Sequence, residues 1–369
     1  MTTPWYGIVN AAEIPSPALL VYPDRIADNL QHMVEIAGDP EHLRPHVKTH
    51  KLAEVVRMQV GLGIHRFKCA TIAEMEMTLG AGAKDALLAY QPVGPNGARL
   101  RALAEMFPKA TVGAVADSLD VVKALGREFS GAARPLDLYL DIDCGMHRTG
   151  IEPSRDAAEV YKAICVTEGV TPAGIHAYDG HNHQSDLAAR RAQWELDFKP
   201  VLELRSTLES QGHSVPTLIA SGSPTFPLHA KCDDRQCSPG TTVLWDFGYS
   251  DKFPDMGFKW AALLLTRVIS KPGPNRLCLD LGHKAVAADR PQPRARLMEI
   301  PSATPVVHSE EHLMVETTKA GQFNVGDCLY AIPAHVCPTV ALHDTAVVVE
   351  GGQAKERWAI EARQRRLTV

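Results

Sequence analysis

The feature that most constrains this chain is the rhythm of its first two thirds, where short β-rich apolar runs alternate with longer amphipathic stretches. Ala18-Leu19-Leu20-Val21-Tyr22 reads as a strand, after which Ile26, Leu30, Met33, Val34 and Ile36 recur at roughly helical spacing. Leu43 to Val47 reads as the next strand and Leu52 to Gly61 as the next helix. Further strand-like runs are Phe67 to Ala70, Ala86 to Tyr90, Val112 to Val115, Leu136 to Ile142, Thr171 to Tyr178 and Thr217 to Ser221. About nine such periods in about 230 residues match the size of a (β/α)8 barrel. The expected class is therefore α/β, with a TIM-like barrel over residues 1–245; the first ~15 residues are free to join a second domain.

From about Val243 the texture changes. Val268-Ile269-Ser270, Arg276 to Leu281, Val306-Val307, Leu313 to Val315 and Ala346 to Val349 are strand-like, and Gly, Pro and Asn turns separate them. Residues 246–369 read as a mostly β domain.

Composition narrows the partners. A net charge of -5, without long like-charge runs, gives no basic footprint for nucleic acid. Nothing approaches the eighteen apolar residues of a membrane span, and Met1-Thr2-Thr3-Pro4-Trp5 does not open like a signal peptide. Eight cysteines without a CxxC pair suit a reducing cytoplasm. The expected partners are a small molecule and a second copy of the chain, as a homodimer.

The strongest local signal is Arg44-Pro45-His46-Val47-Lys48-Thr49-His50-Lys51, at the C-terminal end of a barrel strand. Barrel enzymes build their sites there. A lysine that forms a Schiff base must be desolvated or set beside cations, and Lys51, His46 and His50 are the candidates for that environment.

Together with Pro17-Ala18-Leu19-Leu20-Val21, this motif resembles the D-threonine aldolase and D-serine dehydratase family, fold-type III pyridoxal-phosphate enzymes related to alanine racemase. The resemblance recurs at Lys68 to Glu74, at Asp143-Cys144-Gly145-Met146-His147-Arg148-Thr149-Gly150, at Ser221-Gly222-Ser223-Pro224-Thr225 and at His335-Val336-Cys337-Pro338-Thr339-Val340. It implies that Lys48 carries pyridoxal 5'-phosphate as a Schiff base. It also implies that Arg148 lies beside the cofactor ring as a fixed cation.

Tyr178 is expected on the ring or at its edge. Gly222, Ser223 and Thr225, with Gly240 and Thr241, are expected to bind phosphate, because small residues let backbone N–H groups approach it. In His176-Ala177-Tyr178-Asp179-Gly180-His181-Asn182-His183, either His181 or His183 can serve as the base at a substrate hydroxyl. His335 and Cys337 are the expected metal ligands: on a strand, positions i and i+2 face one side. The metal is zinc or manganese, and the thiolate favours zinc.

The expected reaction is cleavage of a D-3-hydroxy amino acid, D-threonine type, to glycine and an aldehyde. The alternative is a dehydratase that releases a 2-keto acid and ammonia, which a His-x-Cys pair favours over the His-x-Asp of aldolases. A racemase is a third, weaker reading.

Overall fold

The computed structural model describes residues 4–369; the Met1-Thr2-Thr3 of the expected N-terminus lies outside the described residues. The chain divides into two compact units. One comprises residues 31–48, 53–240 and 364–369, the other residues 4–30, 49–52 and 241–363.

The first apolar run forms β1 (Ala18–Val21), but it does not open the barrel. It lies in the second unit's sheet, and all four of its residues are buried. The βα rhythm misassigned it because a fully apolar run of four residues carries no mark of the sheet it will join.

The first unit's sheet is seven-stranded and parallel, in sequential order. Its strands are β2 (Arg66–Cys69), β3 (Asp85–Leu88), β4 (Thr111–Ala116), β5 (Leu136–Ile142), β6 (Val170–Ala177), β7 (Leu218–Ala220) and β8 (Gln236–Cys237). The eighth position belongs to the segment Leu43 to His46, expected as a full strand. It makes only single parallel bridges, Leu43 to Cys237 and His46 to Lys68, and so joins β8 to β2. Pro45 explains the reduced pairing, since it has no N–H for a ladder.

Alternation along β5 shows how the sequence builds this wall. Leu138 and Leu140 are wholly buried on one face, while Tyr139 joins Leu87, Val115, Ala173 and Ile219 in a single apolar cluster. Those five residues come from β3, β4, β5, β6 and β7, so the cluster fills the barrel interior. Arg44 braces the interior nearer the strand starts, with a bidentate pair to Asp85 at 2.5 and 2.7 Å.

The second unit's nine-stranded sheet consists of β1, β9 (Ala262–Gly273), β10 (Arg276–Leu279), β11 (Ala295–Leu297), β12 (Thr304–His308), β13 (Leu313–Glu316), β14 (Cys328–Pro333), β15 (Thr345–Glu350) and β16 (Gln353–Ala359). β1 lies between β9, antiparallel, and β15, parallel. Leu20, Leu263, Leu265, Ile332 and Val347 pack in its core. Among the described residues, no helix is long and apolar enough to cross a membrane.

Candidate active site

Lys48 follows the Leu43–His46 segment in a short turn, Val47–Thr49, and its backbone N–H points at His46 Nδ1, 3.5 Å away. Its amine stands 5.6 Å from the centre of the Tyr178 ring. Two further cations approach the same ring: the Arg148 guanidinium carbon at 5.0 Å and the Lys68 amine at 5.2 Å. The cations gathered with Lys48 around this ring, Lys68 and Arg148, lie outside the motif that holds Lys48. Burial drives His50 down to about 3, so it is neutral and accepts from the Leu52 N–H at 3.1 Å.

Tyr178 follows β6 and is wedged into place. A Cβ on Gly180 would fall 2.3 Å from the tyrosine ring, so only glycine fits there, while one on Gly222 would touch it at an ordinary 3.4 Å. Beneath it in the interior, Asp141 and His176 are paired across β5 and β6 at 2.6 Å. Burial first, then the charge of Lys68, holds the imidazolium of His176 down, and His176 Nε2 has no partner.

The Arg148 loop is organised by Asp143. Its carboxylate accepts from the N–H groups of Gly145 and His147 at 2.9 Å each, and these bonds hold its pKa down despite burial.

The turn after β7 is braced from below by Asp179. Burial would raise this carboxyl, but His229 at 2.8 Å, the Thr225 hydroxyl at 2.8 Å and the Gly222 N–H at 2.7 Å keep it ionised. Thr225 therefore spends its hydroxyl proton on Asp179. Ser223 Oγ accepts from the Gly240 N–H at 3.2 Å and ties this turn to the one after β8. Ser238, in that second turn, has a buried hydroxyl without a partner. Thr241 directs its hydroxyl to the Cys337 sulfur, 3.5 Å away.

Of the two candidate bases, His183 is exposed. His181 is held by Asp197, Nε2 to Oδ2 at 2.7 Å, and its buried Nδ1 has no partner. Asp197 sits on the helix Leu187–Ser210 and was not anticipated, since nothing local links it to His181. Gly145, at φ +124°, makes the room: a Cβ there would stand 2.7 Å from His181 Nε2.

His335 and Cys337 do not lie on a strand. β14 ends at Pro333, His335 is the N-cap of a short helix, Val336–Val340, and Cys337 is inside that helix. Pro338 suits the first turn of a helix, where its missing N–H is not required. The two side chains are still close enough to shift each other's ionisation. Burial would lower His335, but Cys337 and Asp289, the latter 2.6 Å from Nδ1, outweigh it and raise the imidazole to about 9. Cys337 is lowered against its burial by His335 and by the hydroxyls of Thr241 and Thr49. Among the described residues, no three His, Cys, Asp or Glu side chains are grouped to hold a metal ion.

Residues 21–245 match the family model "Alanine racemase, N-terminal domain". The chain belongs to that family. Residues 261–349 match a serine dehydratase domain model. Over 358 residues the chain is 26% identical to a D-threonine aldolase of an Arthrobacter species, covering 95% of this chain and 93% of that one. It is 28% identical over 369 residues to a 3-hydroxy-D-aspartate aldolase of Paracoccus denitrificans (strain Pd 1222), with 96% and 94% covered. The crystal structure of D-threonine aldolase from Filomicrobium marinum superposes with a TM-score of 0.88 at 26% identity, covering 98% and 99% of the two chains.

The alanine-racemase-like fold implies pyridoxal phosphate, and the residues present fit it. Three cations around one ring suit a ligand that carries several negative charges. The unpartnered Ser238 hydroxyl supplies a donor of the kind a phosphate accepts from. His335 and Cys337 are of the residue types that ligate zinc, but no group of three such side chains forms around them among the described residues.

Proposed function

We propose that this chain is a pyridoxal-phosphate-dependent lyase that cleaves D-3-hydroxy amino acids of the D-threonine type between Cα and Cβ, yielding glycine and an aldehyde. The observation that carries the reading is His181, fixed by Asp197 with a free buried nitrogen, in a barrel face that also bears Lys48, Arg148 and Tyr178.

The cofactor, when bound, supplies an electron sink for the bond that breaks. Lys48 provides the amine that holds it. Arg148 would be a fixed cation beside the cofactor and Tyr178 would flank it. Gly222, Ser223 and Gly240 shape two turns that would hold the phosphate, where Ser238 would be a donor, and Thr225 and Thr241 brace the backbone there. His181 takes the proton of the substrate 3-hydroxyl through Nδ1, and Asp197 holds the ring in the tautomer that leaves Nδ1 as the acceptor. We assign the base to His181 rather than His183 because His183 is exposed. His335 and Cys337 would hold a zinc or manganese ion, which would supply Lewis acidity.

A dehydratase giving a 2-keto acid and ammonia is the second reading. The imidazole–thiolate pair and the match of residues 261–349 to a serine dehydratase domain favour it. Product analysis separates the two. Purified protein with pyridoxal phosphate and zinc or manganese should convert D-threonine to glycine and acetaldehyde, with little rate change on α-deuteration because no Cα–H bond breaks. Release of 2-ketobutyrate and ammonia with a large α-deuterium effect would reverse the assignment.

A further inference from the structure

Lys68 is the residue the sequence left without a role. Its strand partner in β3 is Leu87, a member of the interior cluster, so its side chain also faces into the barrel. It is 2% exposed, and its amine stands 5.2 Å from the Tyr178 ring centre. Among the described residues, no hydrogen bond or salt bridge reaches that amine.

A buried ammonium without a counterion is costly, and the cost is relieved by losing the proton or by gaining an anion. Burial first, then the neighbouring Lys48, draws the ammonium of Lys68 down to about 7. The carboxylates of Asp141 and Asp179 pull the other way, and Arg148 adds to the repulsion. Asp179 already accepts from His229, Thr225 and Gly222, and Asp141 is bound to His176. No carboxylate in the site is left over for Lys68.

We propose that Lys68 is an anion-binding residue of the active site, pairing with an oxygen anion brought by the bound molecules. Two sources carry that chemistry: the phenolate or phosphate of the cofactor, and the carboxylate of the amino acid. The inference rests on the proposed pyridoxal-phosphate reading and adds a third cation, beside Lys48 and Arg148, that the sequence motifs do not assign. Ligand binding then draws a proton onto Lys68. As pH rises through 7 the unliganded amine is increasingly neutral, binding must pay for its protonation, and affinity falls.

The test is equilibrium binding of pyridoxal phosphate to wild type, Lys68→Met and Lys68→Arg from pH 6 to 9. A spectral titration of each loaded protein with D-threonine follows. If the cofactor is the source, Lys68→Met weakens cofactor binding by about 10- to 100-fold, the range for a hydrogen bond to a charged group. If the substrate is the source, cofactor binding is unchanged and half-saturation by the amino acid rises by a similar factor.

Lys68→Arg stays charged at every pH tested. It should keep wild-type affinity near pH 6 and lack the extra loss, approaching tenfold per pH unit, that the wild type shows above 7. This comparison also decides the matter if the methionine variant does not fold. Equal cofactor and amino acid affinities in wild type and Lys68→Met, or equal pH profiles in wild type and Lys68→Arg, overturn the inference alone. A wild type that takes up no pyridoxal phosphate overturns it together with the proposed function.

Discussion

His181 and His183 are two residues apart and have the same chemistry, yet their surroundings differ. One is clamped through Nε2 by Asp197 with a buried, unpartnered Nδ1, while the other is exposed. A base is useful when its acceptor nitrogen is fixed, so the two should separate sharply on substitution. His181→Ala is expected to slow turnover by about 100- to 10,000-fold, the usual contribution of a general base. It should leave cofactor binding intact, because the amine of Lys48 and the cations on Tyr178 are untouched. His183→Ala should stay within a few-fold of wild type (about 2- to 3-fold), as for a surface residue. Steady-state kinetics with a cofactor spectrum on each variant checks both statements, and equal losses in the two would return the base assignment to an open choice.

Among the elements, the loop from Asp143 to Gly150 carries the most constraint per residue. Gly145→Ala must force an L residue to φ +124° and drive a methyl to within 2.7 Å of the nitrogen that Asp197 holds. The substitution is expected to cost about 1–3 kcal/mol of stability through backbone strain. It should also lower kcat in the direction of His181→Ala by prying His181 from Asp197. Thermal melts and kcat together test this, and a stable variant with wild-type kcat would show that the loop gives way more easily than the contacts imply.

Much of the fold was legible at this level, because β5 and β6 follow from short apolar runs and the helix Ala53–Gly61 from a period-3.6 pattern. β8 was not, since two residues hold no pattern, and β1 was assigned to the wrong sheet for lack of any mark of its partners. The motif around Lys48 pointed to the strand end where Lys48, Lys68 and Arg148 gather about Tyr178. His335-Val336-Cys337 brought two side chains together for the wrong reason, a helix cap rather than a strand. Asp197 and Asp289 were invisible because each acts through a histidine that only the tertiary fold brings near, and Lys68 stood in a motif whose spacing says nothing of its burial.

For the whole molecule, stability should fall as pH rises through the neutral range, and Glu299 is one source. It accepts from the Tyr330 N–H at 3.2 Å, in a region of buried tyrosines, and burial raises its carboxyl from 4.5 to about 7. A carboxyl that binds its proton more tightly when folded favours the fold below its unfolded pKa. That advantage is lost as pH climbs from about 4.5 through about 7. Glu299→Gln keeps the acceptor and removes the ionisation. It should therefore gain roughly 1–3 kcal/mol over wild type at pH 8 and almost nothing at pH 4, below the unfolded pKa, an order-of-magnitude figure from the shift. Urea titrations at the two pH values read this out, and a gain of equal size at both would assign the effect to packing instead.

The slot that β1 occupies sets a timetable for synthesis. Leu19, Leu20 and Val21 leave the ribosome early, but the strands that flank them, β9 and β15, are translated only after the entire barrel sequence. At about 5–20 residues per second, the wait is on the order of tens of seconds. Throughout that interval a fully apolar strand has neither edge covered, which is the condition under which strands pair with the wrong chain. The nascent polypeptide thus carries this apolar strand uncovered until the last third arrives to sheathe it. A chaperone that meets this protein during translation should find its binding site there rather than in the finished barrel.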